Sequence, residues 1–171
     1  MTMRLFIALE PTPEFRDALA ELQERLKAAG VEGRYLIPSN LHLTLAFIGE
    51  WQEDISQILP IVEKPFTITL SHLGVFTGAK VLWAGVEQSE ELDALAERVR
   101  EELDERKIPY DHQGFYPHIT LARKPVLPSE DALISVQVPR ASMIVREVCL
   151  YQSLHEAEGM RYIVLGKSGR F

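Results

Sequence analysis

Cysteine is almost absent from this sequence. Cys149 stands alone, so no internal disulfide can form and nothing in the chain requires an oxidising compartment. Set in an apolar run, it reads as a buried core thiol and not as a nucleophile. Paired cysteines are excluded with it, and H-E-x-x-H does not occur, so the usual zinc ligand sets are missing and no metal is expected. Long apolar runs are missing too. The opening M-T-M-R-L-F-I-A-L-E is too short for a secretory leader and has no small-residue cleavage site, and no segment reaches bilayer-spanning length. The expected location is the cytoplasm. Positive charge is in deficit, with 18 Lys and Arg against 25 Asp and Glu and a net charge of -7. That balance excludes a protein that coats long stretches of duplex nucleic acid, but it leaves room for a phosphate held at one local site. A glycine-rich phosphate loop is also absent. Gly166-Lys167-Ser168 has Arg161 where that loop needs a glycine, and no helix follows, so the tail reads as a loose basic end.

What the chain does have is an ordinary globular composition, 46% hydrophobic and 25% charged over 171 residues, enough for one domain or two small lobes sharing a core. Arg4 to Leu9 suits a buried strand. A helix follows, with Thr12 as N-cap, Pro13 in the first turn, Phe15, Leu19, Leu22 and Leu26 on one face, and Gly30 beyond its end. Residues 33–40 read as loop, 41–48 as a strand ended by Gly49, and Ile55, Ile58, Leu59 and Val62 as a short helix stopped by Pro65. Strands are expected at 66–70 and 73–76, followed by a turn at 77–79. A strand over 80–86 then begins the series again. Ser89 caps a helix whose apolar face is Leu92, Leu95, Val99 and Leu103. Residues 108–115 read as loop, 116–123 as a strand, 128–134 as a short helix, and 143–153 and 162–165 as closing strands.

Two stretches echo each other. Leu41 to Ala46 reads L-H-L-T-L-A, and Pro117 to Arg123 reads P-H-I-T-L-A-R. In a strand, alternate side chains share a face, so His42 and Thr44 lie opposite Leu41, Leu43 and Leu45. His118 and Thr120 likewise lie opposite Ile119 and Leu121. The interval between the copies is too long for a solenoid repeat, and the order of elements repeats with it. The expectation is therefore one bilobal domain built by internal duplication, with approximate halves 1–79 and 80–171 and the two motif strands facing each other across a groove.

A lone histidine on a strand is usually structural, and His72, His112 and His155 read that way. The same pattern twice, at matching places, is different. Imidazoles with an ordinary pKa near ~6.5 can hold opposite protonation states at neutral pH. Opening a cyclic phosphate needs a base for water, an acid for the leaving alkoxide and donors to the non-bridging oxygens, and two His-x-Thr strands supply that set.

At these motifs the sequence resembles the 2H phosphoesterase superfamily, and within it the bacterial and archaeal RNA 2',3'-cyclic phosphodiesterases, also called 2'-5' RNA ligases. The resemblance extends through R-L-F-I-A-L at Arg4 to Leu9, N-L-H-L-T-L-A-F-I-G at Asn40 to Gly49, V-L-W-A-G-V at Val81 to Val86 and L-Y-Q-S-L at Leu150 to Leu154. It implies a two-lobed α+β fold in which antiparallel sheets flank a central groove, with helices outside. It also implies metal- and cofactor-independent hydrolysis of 2',3'-cyclic phosphate termini to 2'-phosphomonoesters. In that scheme His42 is the proton donor, His118 the proton acceptor, Thr44 and Thr120 bind phosphate oxygens, and Arg123 contacts the phosphate. Phe6 matches an aromatic near the substrate, although its residue type suits the core equally well. The near-symmetry of the motifs leaves acid and base interchangeable on sequence alone. The expected partners are RNA termini or small cyclic nucleotides, met by a monomer, and ligation is the same chemistry reversed. A non-catalytic binder of phosphorylated ends, or a relative acting on 2'-5' oligoadenylate or an ADP-ribose cyclic phosphate, are the alternatives.

Overall fold

In the computed structural model, which describes residues 1–168, the sequence periodicities resolve into nine strands and two helices. The strands are β1 (Met3–Leu9), β2 (Glu32–Tyr35), β3 (Leu43–Trp51), β4 (Phe66–Phe76), β5 (Val81–Val86), β6 (His118–Val126), β7 (Ser142–Val145), β8 (Cys149–Glu156) and β9 (Gly159–Lys167). The helices are α1 (Pro13–Ala28) and α2 (Glu90–Glu105). Every pairing is antiparallel, in the order β7-β4-β5-β6-β3-β1-β8-β9, with β2 added to β6. This is the expected α+β class.

The sheet divides where the motif strands meet. β3 and β6 share a single pair, Leu43 with Ile119. Beyond it the edge of β6 is taken by β2, through Arg34 with Arg123 and Tyr35 with Ala122. Outward from that junction each side has a motif strand, then a strand carrying an aromatic (Phe6 on β1, Trp83 on β5), then two more. Each side draws strands from distant parts of the chain, since β8 and β9 lie beside β1 while β4 and β7 lie beside β5.

The helices cover one face. α1 buries Phe15, Leu19, Leu22 and Leu26, and α2 buries Leu92, Leu95, Val99 and Leu103, against Leu5, Ile7, Leu43, Leu45, Ile119 and Leu121 of the strands. Removing this apolar surface from water is the main stabilising contribution. α1 ends as expected before Gly30, with the Val31 amide donating to the Leu26 carbonyl at 3.0 Å. Ser89 Oγ accepts from the Leu92 amide at 3.1 Å and caps α2. Gln23 is buried in α1 and donates to the Leu36 and Leu121 carbonyls at 2.8 and 3.0 Å, fastening the helix to β6.

Several local expectations fail. Residues 33–40 contain most of β2 and a 3-10 turn at Pro38–Asn40; four residues without apolar alternation become a strand only because the edge of β6 is free to pair. The stretch from Ile55 to Val62 makes one 3-10 turn, Ser56–Ile58, because Pro60 lacks the amide a helix needs. Residues 128–134 form turns and no helix. Gly49 does not end β3, which runs to Trp51 through a bulge where Leu5 faces Gly49 and Phe6 faces Phe47. The expected strand over 143–153 splits into β7 and β8, which pair with β4 and β1 respectively. The tail is not loose up to Ser168. Lys167 lies 3.2 Å from Glu10 and 3.4 Å from Glu147, and the Ser168 hydroxyl accepts from the Val148 amide at 2.8 Å. Its last residues, 169–171, lie outside the described ones. Among the described residues no helix is long and apolar enough to cross a membrane.

Candidate active site

The strand alternation sorts each motif as its residues require. Leu43, Leu45, Ile119 and Leu121 are buried in the core, while His42, Thr44, His118 and Thr120 are half-buried on the other face. There Phe6, His42, Thr44, His118, Thr120 and Arg123 all line one groove of about 1020 Å³. The structure thus brings together every site residue named from the sequence.

Both imidazoles are held in the same way. His42 Nδ1 lies 2.7 Å from the Asn40 carbonyl, and His118 Nδ1 lies 2.6 Å from the Tyr116 carbonyl. A carbonyl only accepts, so in both rings Nδ1 carries the proton and Nε2 is left as the free nitrogen. Each ring also rests on aromatics. His42 lies 4.6 Å from Phe6 and 5.1 Å from Tyr162, and His118 lies 5.0 Å from Phe76 and 6.2 Å from Trp83. The Trp83 indole in turn lies across β4, where a Cβ on Gly74 would collide with it.

Burial sets the charge. Desolvation lowers the pKa of His42 to about 4, against the bond to the Asn40 carbonyl, with smaller pushes in the same direction from His118 and Arg123. His118 is lowered as well, again by desolvation and against its carbonyl bond. Both shifts favour the neutral ring at pH 7, and an anion beside the rings opposes them. Arg123 is exposed on β6 and lines the same groove, and among the described residues no carboxylate pairs with it.

The sequence model of the 2'-5' RNA ligase superfamily matches residues 11–157, which includes both motifs. The chain belongs to that superfamily. It is 30% identical to the RNA 2',3'-cyclic phosphodiesterase of Thermotoga maritima, across 95% of this chain and 93% of the relative. The protein of the same name from Escherichia coli K12 is 31% identical, across 95% and 93%. Among solved structures, Escherichia coli LigT complexed with 3'-AMP superposes with a TM-score of 0.79 at 30% identity, covering 98% of this chain and 97% of that one. TT0787 of Thermus thermophilus gives 0.74 at 30%, covering 99% and 100%.

Some groove residues of this family member carry no sequence signal. Asn40 is buried, supplies the carbonyl that fixes His42, and sends Nδ2 to the Met160 carbonyl at 2.9 Å. Its place in N-L-H-L-T was the only hint. Tyr162, Phe76 and Trp83 join the site through strand pairing, which a local pattern does not reveal. Of the histidines read as structural, His72 packs edge-on against Trp83 and His112 lies against Tyr110, while His155 lines the groove and contacts Met160. Cys149 is fully buried, and desolvation raises its thiol to about 12. Its sulfur forms a trio with the carboxylates of Glu10 and Glu147. That trio lies outside the groove, and the Lys167 ammonium already stands at both carboxylates.

Proposed function

We propose that this protein is a metal-independent RNA 2',3'-cyclic phosphodiesterase that opens the cyclic phosphate to a 2'-phosphomonoester. The observation that carries the reading is the matched anchoring of His42 and His118, which leaves two Nε2 atoms at one groove with two threonines and an arginine that no carboxylate pairs with among the described residues. Arg123 and the hydroxyls of Thr44 and Thr120 take the non-bridging oxygens, and their donors stabilise the charge that grows there in the transition state. His118 Nε2 accepts a proton from water, the water oxygen bonds to phosphorus, the bond to O3' breaks, and His42 Nε2 protonates that oxygen. Phe6 is only 2% exposed, so its contribution to substrate binding is mostly to hold the His42 ring in place.

The anion itself prepares the acid. A phosphodiester beside His42 favours the charged ring and opposes the desolvation that lowers it. The reading carries with it RNA termini or small cyclic nucleotides as substrates, a monomeric bilobal domain and a cytoplasmic location. The test is turnover of a 2',3'-cyclic nucleotide in excess EDTA, with products assigned by phosphorus NMR. The wild type should give the 2'-phosphate, and His42→Ala and His118→Ala should each lose at least ~100-fold, the usual scale for one acid or base. Full activity in either variant would sink the assignment.

A further inference from the structure

Positive charge is in deficit in this chain, yet it gathers at one end of the groove. β3 and β6 are antiparallel and touch through the single pair Leu43 with Ile119, so they run away from that junction in opposite directions. On one side lies Phe47, and with it come the two carboxylates that line the groove. Glu50 is further along β3, and the Asp111 amide donates to the Phe47 carbonyl at 2.8 Å. On the other side Leu36, Val81 and Arg123 line the groove, and among the described residues no carboxylate joins them.

Just beyond Arg123 three more cations are exposed, Arg34, Lys80 and Lys124. Arg34 of β2 stands directly opposite Arg123, whose other flank faces Val81 of β5. Directly opposite residues of an antiparallel pair share a face, and like charges there destabilise the sheet. Lys80 precedes Val81 and Lys124 follows Arg123, and the Lys124 amide donates to the Lys80 carbonyl at 2.9 Å. Both lysines have a positive φ, 57° and 51°, a conformation that glycine adopts with less strain. Among the described residues none of the four cations has a carboxylate within ion-pair distance. Glu32, the nearest acid along β2, stands opposite Val126 at the start of the strand. Folding gains nothing from two facing arginines, or from lysine where glycine is easier, whereas a polyanion is held by all four.

We propose that Arg34, Lys80 and Lys124 form a track for the RNA strand behind the cyclic phosphate, a reading that rests on the phosphodiesterase assignment above. Arg123 holds the terminal phosphate. Its three neighbours take the internal phosphodiesters as the strand leaves by the basic end and avoids Glu50 and Asp111. So small a patch serves about two or three phosphates of a single strand and not the length of a duplex. Contacts to phosphate position a strand without reading its bases, so the track selects for chain length over sequence. The preferred substrate is then an oligonucleotide end, and a mononucleotide is a poor one because it leaves the track empty.

The test compares kcat/KM for adenosine 2',3'-cyclic phosphate with that for a triadenylate ending in the same group, across a salt series. The trinucleotide adds two internal phosphodiesters, and each one contacted steepens the fall of log affinity with log salt by about 0.7. Wild type should prefer the trinucleotide about tenfold or more at low salt, and that preference should shrink about sevenfold between about 50 and 200 mM salt. None of the three side chains lines the groove itself. The triple variant Arg34→Gln, Lys80→Gln, Lys124→Gln should therefore turn over the mononucleotide within about twofold of wild type, with the trinucleotide preference and its extra salt dependence both gone. Arg34→Lys keeps the charge and should keep the preference. A wild type that treats both substrates alike overturns the track. So does a triple variant that retains the preference, or one that loses mononucleotide and trinucleotide turnover in parallel. A wild type that hydrolyses neither overturns the phosphodiesterase reading instead, and the track with it.

Discussion

If His42 is neutral in the empty groove and acid in the complex, binding of a phosphate must move its pKa, and by a calculable amount. With a pKa of about 4, roughly one molecule in a thousand carries the imidazolium at pH 7, since each unit below the ambient pH is a factor of ten. One negative charge about 4 Å from the ring, at an effective dielectric near 20, is worth about 4 kcal/mol, or about three pKa units. A bound phosphate thus returns His42 to about neutrality, where it is half charged and useful. Titrating the imidazole Cε1 protons by NMR, with and without a saturating nucleoside 2'-phosphate, reads this directly. The free His42 midpoint should lie near 4 and rise by at least ~2 units on binding, with affinity growing as pH falls between the two midpoints. A free midpoint at the ordinary imidazole value, or one that ignores the ligand, refutes the reasoning. A ligand that charges His118 and leaves His42 neutral reverses the acid and base roles.

The same lowered values have a consequence for folding. Between about pH 6.5 and the folded midpoints the unfolded chain binds more protons than the native one, so stability should fall as pH drops through that window. Urea titrations of wild type and His42→Asn should show a shallower fall in the variant, and identical profiles would argue against a buried neutral ring. Gly74→Ala drives a methyl into the Trp83 indole and should cost about 1–3 kcal/mol, seen as a lower Tm, because overpacking forces ring or strand to shift. Asn40→Ala removes the bond to the Met160 carbonyl; a loss of about 1 kcal/mol in stability is expected, together with a fall in kcat larger than any change in KM as the loop before His42 loosens. Gln23→Leu takes the side-chain donor from the Leu36 carbonyl under α1, while the Leu121 carbonyl keeps the Leu36 amide, and should lower the urea midpoint by the equivalent of about 1–3 kcal/mol.

Where an element's reason is local, the sequence showed it. α1 and α2 have one apolar face and recognisable ends, and alternation between core and groove marks His42, Thr44, His118 and Thr120, whereas Arg123 follows from the family resemblance and reaches the groove only because an irregularity in the β5–β6 pairing, between Leu82 and Trp83, breaks the alternation after Thr120. Elements that owe their form to a distant partner stayed hidden. β2 is mostly exposed and exists because β6 has an open edge, and the break between β7 and β8 reflects two partner strands on opposite sides of the junction. Apolar spacing over 55–62 looked helical because periodicity says nothing of the amide that Pro60 lacks. The desolvation of the histidines was hidden for a related reason. Their ordinary pKa describes a solvated ring, and the desolvation that lowers both comes from neighbours such as Tyr162 and Trp83, which lie far away in sequence.

The carbonyl that orients each imidazole belongs to the main chain two residues earlier, so this acid and base have no partner side chain that a point mutation could delete. In a catalytic triad the histidine tautomer depends on a carboxylate that can drift or be lost independently. Here it is a property of how the chain enters the strand. Transplanting such a strand would carry a correctly protonated histidine with it, and the surrounding loops could vary widely in sequence without disturbing the proton inventory of the site.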